Sequence, residues 1–170
     1  MTIIKHKAQR VAVLIDAQNM YHSAKHLYNA RVNFKEVLKA AVAGRQLVRA
    51  MSYVIRTESG EEKPFLEAME KIGIEIRIKD LQIFPGGVKK ADWDVGIVID
   101  AVRFAPNVDA VVLVSGDGDF IPLIEYLREV RGTQMEVLAF GRSTSQKLKE
   151  AADDFIDLGA EPRKYLMRIR

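Results

Sequence analysis

The sequence predicts an α/β fold in which helices cover both faces of a mainly parallel central sheet, a three-layer α/β/α arrangement. Apolar runs of strand length alternate with segments of helical periodicity between residues 11 and 158. Two of these runs, residues 11–15 and 111–114, are apolar throughout, which is typical of strands buried on both faces. Parallel strands need crossover connections, and the intervening helical segments supply them.

The predicted elements follow one another in the order β-α-α-β-α-β-α-β-α-β-α. Strands are expected at residues 11–16, 47–56, 74–78, 111–114 and 135–140, with a short one at 155–158. Helices are expected at residues 18–29, 34–41, 61–72, 95–104, 120–127 and 145–152. Asn33 and Asp119 are the predicted N-caps of two helices. The alternating segment 74–78 predicts a half-exposed edge strand, and residues 83–88 predict a turn or flexible loop.

The composition fits one globular domain, expected over residues 1–160, followed by a short basic tail at residues 161–170. The chain has 170 residues, of which 48% are hydrophobic, enough for a full core. It has no cysteine, which excludes disulfides, thiolate catalysis and cysteine-ligated zinc. The polar, basic start and the lack of a long apolar run predict a cytoplasmic protein with no membrane partner.

The net charge of +3 is only a weak indication of nucleic-acid binding. Residues 161–170 carry four basic residues and one acid, so the tail accounts for the whole excess and residues 1–160 sum to zero. The composition therefore does not show a uniformly basic surface, although a basic rim around an acidic centre stays open. The apolar part of the tail is expected to pack on the domain, form a homodimer or contact nucleic acid.

Three acids are expected at one edge of the sheet. Asp16 ends the first strand, and Asp117 and Asp119 follow the apolar strand at 111–114. The carboxyl ends of parallel strands meet at the same edge, where α/β proteins build their sites. Carboxylates gathered there repel one another unless a proton or a cation lies between them, so the pattern favours Mg²⁺ or Mn²⁺.

Each of these acids also has an ordinary structural interpretation. Asp119 is suited to cap the helix that begins at Phe120, and Asp117 is suited to a loop turn. Because helix capping explains only Asp119, we favour a functional site formed by Asp117 and Asp119. A turn role is the main alternative for Asp16, while Asn19 is expected to orient Asp16, bind substrate or begin the next helix.

A third group of acids lies further along the chain, in residues 92–100. Asp94 opens a predicted helix, where capping is an equally good interpretation. Asp100 lies about 240° further around that helix, so it does not share the face of Asp94. Lys89 and Lys90 suit either a phosphate contact or a solvated loop. His22 and His26 have i, i+4 spacing, but without an acid motif an exposed helix face is favoured over a zinc pair.

Three segments together resemble the NYN domain, in its bacterial and archaeal LabA-like branch, within the PIN-like nuclease superfamily. They are residues 15–19, residues 89–97 and residues 114–120, and the resemblance covers about residues 10–158. It implies a PIN-like, Rossmann-like fold and a metal-dependent ribonuclease site. The family's acids fall on Asp16, Asp94, Asp117 and Asp119, and its asparagine on Asn19. Asp100 matches a position that is often acidic in this branch, and Glu36 and Glu67 are the candidates for a further helix acid of many PIN domains.

The leading hypothesis is a nuclease that hydrolyses phosphodiester bonds of single-stranded RNA. One or two Mg²⁺ or Mn²⁺ ions would activate a water for in-line attack. The predicted catalytic residues and metal ligands are Asp16, Asp94, Asp117 and Asp119. The predicted substrate-binding residues are Asn19, Lys89, Lys90 and Ser115.

Two other functions stay open at this point. The LabA-like branch has members discussed in regulatory terms, so a non-catalytic regulatory or RNA-binding module that retains the fold is the main alternative. A different acid-cluster enzyme is the third. Against a phosphatase, no DxD motif follows the first strand, and against a Toprim-like domain, the glutamate expected after an early strand is missing.

Overall fold

The centre of the protein is a six-stranded sheet in which every neighbouring pair of strands is parallel. The computed structural model describes residues 3–60, 62–87 and 89–168, and the side chains of Lys89 and Lys90 lie outside that description. Helices flank the sheet, so the predicted three-layer α/β/α fold is confirmed.

The elements have the following bounds. The strands are β1 Arg10–Asp16, β2 Ala30–Val32, β3 Gln46–Arg56, β4 Glu75–Asp80, β5 Gln82–Ile83, β6 Lys89–Lys90, β7 Ala110–Val114, β8 Gln134–Ala139, β9 Asp154–Asp157 and β10 Leu166–Arg168. The helices are α1 Ala17–Tyr28, α2 Phe34–Val42, α3 Lys63–Lys71, α4 Asp94–Phe104, α5 Ile121–Arg131, α6 Gln146–Ala151 and α7 Pro162–Tyr165. Short 3₁₀ helices lie at Ala105–Asn107, Gly118–Phe120, Gly141–Ser143 and Leu158–Ala160.

The sheet has a topological switch point between β1 and β7. Its strand order is β4-β3-β1-β7-β8-β9, so the chain builds outwards from β1 to β4 and then returns to build outwards from β7 to β9. The crevice beyond the carboxyl ends of β1 and β7 is where open α/β sheets bind ligands. Both strands are central, which explains why residues 11–15 and 110–114 are fully buried and apolar.

All six predicted strands belong to this sheet, and β4 is an edge strand as its alternation indicated. Asn33 caps α2, because its Oδ1 accepts a hydrogen bond from the backbone N–H of Glu36. The prediction that Asp119 caps the next helix is wrong. A 3₁₀ turn comes first, and Asp117 caps that turn by accepting from the N–H of Asp119.

Two small sheets and α7 lack a counterpart among the predicted elements. β5 and β6 form an antiparallel pair on either side of the turn predicted at residues 83–88, and β2 pairs with β10. Strands of two or three residues are too short to show a periodicity. Through β10 and the buried Tyr165, the tail packs on the domain, while Ile169 and Arg170 lie outside the described residues. Within the described chain, no helix combines the length and apolar character needed to cross a bilayer.

A buried ion pair joins β8 to the connection before β3, at the end of the sheet opposite the crevice. Arg45 donates from both terminal nitrogens to Glu136, at 2.8 Å each, and both side chains are almost fully buried. The same guanidinium donates to the carbonyls of Ala41 and Val42, so it also satisfies the end of α2. Removing Glu136 leaves the buried charge of Arg45 uncompensated, whereas Glu136 has a second partner in Lys5, at 3.5 Å.

Glu136→Gln is therefore expected to lower the free energy of unfolding by about 3 kcal/mol, because Arg45 stays charged and buried. Urea denaturation followed by circular dichroism measures the change. Arg45→Met combined with Glu136→Leu should recover part of the loss, since it removes both charges. A single variant as stable as the wild type would contradict this role of the pair.

Candidate metal centre

Three carboxylates from separate elements converge at the switch point. Asp16 ends β1, Asp94 begins α4, and Asp117 lies in the loop after β7. One carboxylate oxygen from each can be chosen so that all three lie within 4.8 Å of one another. An all-oxygen, acidic donor set of this size fits a hard divalent cation such as Mg²⁺ or Mn²⁺.

Asp16 is held by two hydrogen bonds in a nearly buried position. Its side chain is the N-cap of α1, with Oδ1 accepting from the N–H of Asn19 at 3.2 Å. The hydroxyl of Ser115 donates to Oδ2 at 3.0 Å. Burial raises the pKa of the Asp16 carboxyl, the two hydrogen bonds oppose that rise, and the nearby Asp117 adds to it. The hydrogen bonds thus fix the orientation of the Asp16 carboxylate, while burial makes its negative charge unfavourable in the absence of a cation.

The loop that carries Asp117 is fixed by its own polar contacts. The N–H of Gly116 donates to Oδ1 of Asn19 at 2.9 Å, and the N–H of Asp117 donates to the hydroxyl of Ser115 at 3.2 Å. A Cβ atom at Gly116 would lie 2.7 Å from Oγ1 of Thr144, so only glycine fits this close approach. Asn19 and Ser115 therefore connect Asp16 to the loop that carries Asp117.

Asp94 is placed by the residues immediately before it. Oδ1 of Asp92 accepts from the N–H of Asp94 at 3.2 Å, which satisfies one free donor at the start of α4, whose N-cap residue is Trp93. The indole N–H of Trp93 donates to the carbonyl of Val54 in β3 at 3.0 Å. The ring of Trp93 lies against Gly96, where any side chain would collide with it. The start of α4 is thereby tied to the sheet beside Asp16.

The electrostatics of the centre favour a cation. The pKa of the Asp94 carboxyl is raised from 3.8 to about 6, first by burial and then by the negative charges of Asp117, Asp92, Asp16 and Asp119. Such a group takes up a proton at a higher pH than an ordinary aspartate does. A divalent cation would lower the pKa again by favouring the ionised form.

A cleft of about 230 Å³ opens onto these acids. It lies between the first turns of α1 and α4 and the loop after β7. Its lining residues are Asp16, Gln18, Asn19, His22, Ser23, Asp92, Trp93, Asp94 and Asp117.

The structure brings together three of the four predicted metal ligands. Asp119 is exposed and does not belong to the group of three, although its charge acts on Asp94. Ser115 is fully buried and bonded to Asp16, so it positions that carboxylate and offers no surface to a substrate. Asn19 lines the cleft as well as holding Gly116. The predicted phosphate contacts of Lys89 and Lys90 lie outside the described side chains.

The remaining acids and the histidines have separate positions. Asp92 accepts from the N–H of Asp94 and lines the cleft, whereas Asp100 is buried and accepts from the hydroxyl of Tyr53 at 2.7 Å. The rings of His22 and His26 stack with centroids 6.0 Å apart on the exposed face of α1, and His22 also lines the cleft.

Gln18, Ser23 and Trp93 line the cleft without having been singled out in the sequence. Gln18 and Ser23 follow Asp16 on α1, and the helical spacing of residues 16, 19 and 23 would have placed Ser23 near the cleft. Trp93 carries a weaker signal, as the single tryptophan of the chain next to two acids.

The fold, with its acidic cluster, is a nuclease-type fold of the PIN-like class. The NYN domain matches residues 10–159, so the chain belongs to the NYN domain family. This finding confirms the resemblance noted in the sequence.

The relatives agree with that assignment. The chain is 28% identical over 167 residues to "Low amplitude and bright protein LabA" of Synechococcus elongatus, covering 89% of this chain and 85% of LabA. It is 29% identical over 157 residues to "Uncharacterized protein MJ0482" of Methanocaldococcus jannaschii, covering 89% of this chain and 56% of that protein. The crystal structure of VPA0982 from Vibrio parahaemolyticus, a protein of unknown function, superposes with a TM-score of 0.86 at 31% identity, covering 97% of this chain and 100% of that chain.

The repulsion at Asp94 predicts a stabilising substitution. At pH 7.5 in EDTA, Asp94→Asn should raise the free energy of unfolding by about 1 kcal/mol, a figure discounted for the partial exposure of the group. Because the folded-state pKa of about 6 lies above the ordinary value of 3.8, the destabilisation is absent below about pH 4 and grows as the pH rises through 6. The advantage of the variant should therefore shrink as the pH falls. Urea titrations across this range measure it, and a pH-independent difference would refute the assignment.

Proposed function

We propose that this protein is a divalent-metal-dependent ribonuclease that hydrolyses phosphodiester bonds of single-stranded RNA. The observation that carries the proposal is the convergence of Asp16, Asp94 and Asp117 within 4.8 Å at the switch point of the sheet. Membership of the NYN family, in the PIN-like nuclease superfamily, supports the same chemistry.

The three carboxylates would hold Mg²⁺ or Mn²⁺. When bound, such an ion activates water and stabilises the leaving oxygen of a phosphodiester. Ser115 and Asn19 orient Asp16, and their hydrogen bonds favour its charged form against the effect of burial. Asp119, near the centre but outside the group of three, is placed to accept a hydrogen bond from a water or a substrate hydroxyl.

The dimensions of the cleft support a single strand as the substrate. Its volume of about 230 Å³ and its position between two helix starts leave room for one phosphodiester and its sugar. Trp93, Gln18 and His22 line the walls around that position.

The proposal predicts RNA cleavage that requires both a metal ion and the acids. Labelled single-stranded RNA should be cut in Mn²⁺ or Mg²⁺ and remain intact in EDTA. Asp16→Asn and Asp117→Asn should each lower the rate by at least about 100-fold, as expected for lost metal ligands. Glu129→Gln, which removes the same charge from an exposed position on α5, is the matched control and should cut at the wild-type rate.

Equal cleavage by the wild type and both aspartate variants would identify a contaminating nuclease. RNA binding without cleavage by the wild type would contradict the enzyme and favour a binding module. Single-stranded DNA of the same sequence, run in parallel, tests the preference for RNA.

Asp119→Asn separates a ligand from a neighbouring charge. We expect a loss of about tenfold or less, because Asp119 lies outside the group of three oxygens. The comparison is made at saturating Mn²⁺ beside Asp117→Asn. A loss as large as that of Asp117→Asn would show that Asp119 joins the centre during the reaction.

A further inference from the structure

The edge strand β4 carries basic side chains on the side of the sheet where α4 packs. Side chains alternate along a strand, so Arg77 and Lys79 point to the same side. Arg77 reaches Asp100 in α4, and Lys79 reaches the residues just before α4. Arg103, which lies on α4 itself, also contacts Asp100 and is therefore near Arg77. We call these three residues, Arg77, Lys79 and Arg103, the basic lane.

Two members of the lane share one carboxylate. The Nε atom of Arg77 lies 3.0 Å from Oδ2 of Asp100, and a terminal nitrogen of Arg103 lies 3.3 Å from Oδ1. Oδ2 already accepts from the hydroxyl of Tyr53, and the Arg77 contact is an ion pair without hydrogen-bond geometry. One positive charge is therefore left over. The side chains of Arg77 and Arg103 are 38% and 60% exposed, so both are partly open to solvent, although the Nε atom of Arg77 is buried.

Lys79 connects the lane to the cleft. Its ammonium donates to the carbonyl of Asp92 at 3.1 Å and lies 4.3 Å from the centre of the Trp93 ring. Asp92 and Trp93 both line the cleft. Among the described residues, Lys79 has no carboxylate within 4.0 Å, so its charge is compensated only by a carbonyl dipole and an aromatic face.

The lane is a local concentration of charge in a domain that is neutral overall. Three basic groups against Asp100 leave an excess of +2, whereas residues 1–160 sum to zero. The next pair along the sheet, Arg49 with Glu75, compensates itself. Arg103 lies nine residues after Asp94, about 13 Å along α4, so the lane extends away from the acids on one side only.

We propose that the basic lane binds the phosphodiester backbone of single-stranded RNA on its way to the metal centre, an inference that rests on the proposed function. Guanidinium groups match the geometry of phosphate oxygens, and exposed cations beside an acidic centre attract the strand that the centre alone would repel. Lys79 then contacts the phosphate nearest the cleft, and Arg77 and Arg103 contact phosphates farther out.

The test measures RNA binding separately from cleavage. The full chain is titrated, in EDTA, onto a fluorescein-labelled oligouridylate of 12 nucleotides, and fluorescence anisotropy gives Kd at several salt concentrations. The test variant is Lys79→Gln with Arg103→Gln, which leaves Arg77 and Tyr53 on Asp100. The matched control is Lys35→Gln with Lys39→Gln, two exposed lysines of α2 that have no ion pair within the described chain.

The lane variant should bind about tenfold more weakly, and the slope of log Kd against log salt should fall by about 1.4, since each lost phosphate contact on a single strand contributes about 0.7. The control should keep the affinity and slope of the wild type. Thermal melts confirm that both variants are folded.

A lane variant that binds like the control would overturn the inference, and so would a wild type that does not bind the oligonucleotide. Failure of the ribonuclease proposal gives a different result. In that case the wild type binds RNA through the lane in EDTA and leaves it intact in Mn²⁺, which retains the lane as a binding surface.

Discussion

The parallel pairing of β1 with β7 is the constraint on which the rest of the structure depends. Its register places Ile15 opposite Val114, so Asp16 and Ser115 are the next residues on adjacent strands. The hydroxyl of Ser115 consequently reaches Asp16, and the chain turns at Gly116 to present Asp117. A shift of one residue would turn every side chain of the strand to the opposite face and separate these groups.

The sequence was sufficient to predict that Asp16 and Asp117 lie at or just beyond the carboxyl ends of central strands. An apolar run followed by a carboxylate strongly indicates the end of a buried strand, because such a strand tolerates a charge only at its end. The position of Asp94 was less certain, since the packing of α4 depends on Trp93 and its bond to Val54, residues 39 positions apart. The error at Asp119 has a local cause, because a 3₁₀ turn and an α-helix begin with the same capping residues.

Charge distribution was the property that the sequence could not give. Composition showed a neutral domain with a basic tail and left a basic rim undecided. The structure brings Arg77 of β4 to Asp100 of α4. That contact depends on the order of strands in the sheet, which the periodicity of a sequence does not reveal. Asp100 does not belong to the metal centre, but it contacts Tyr53 of β3 and pairs with two arginines of the basic lane.

We propose above that Asp16, Asp94 and Asp117 hold a divalent cation between them. Crystals of the protein grown with Mn²⁺ and measured for anomalous scattering test it directly, because Mn²⁺ gives a signal that water does not. We expect an anomalous peak within coordination distance of a carboxylate oxygen of each of the three residues, and no such peak in crystals of Asp117→Asn. An empty position in the wild type, or a peak held by other residues, would contradict the claim.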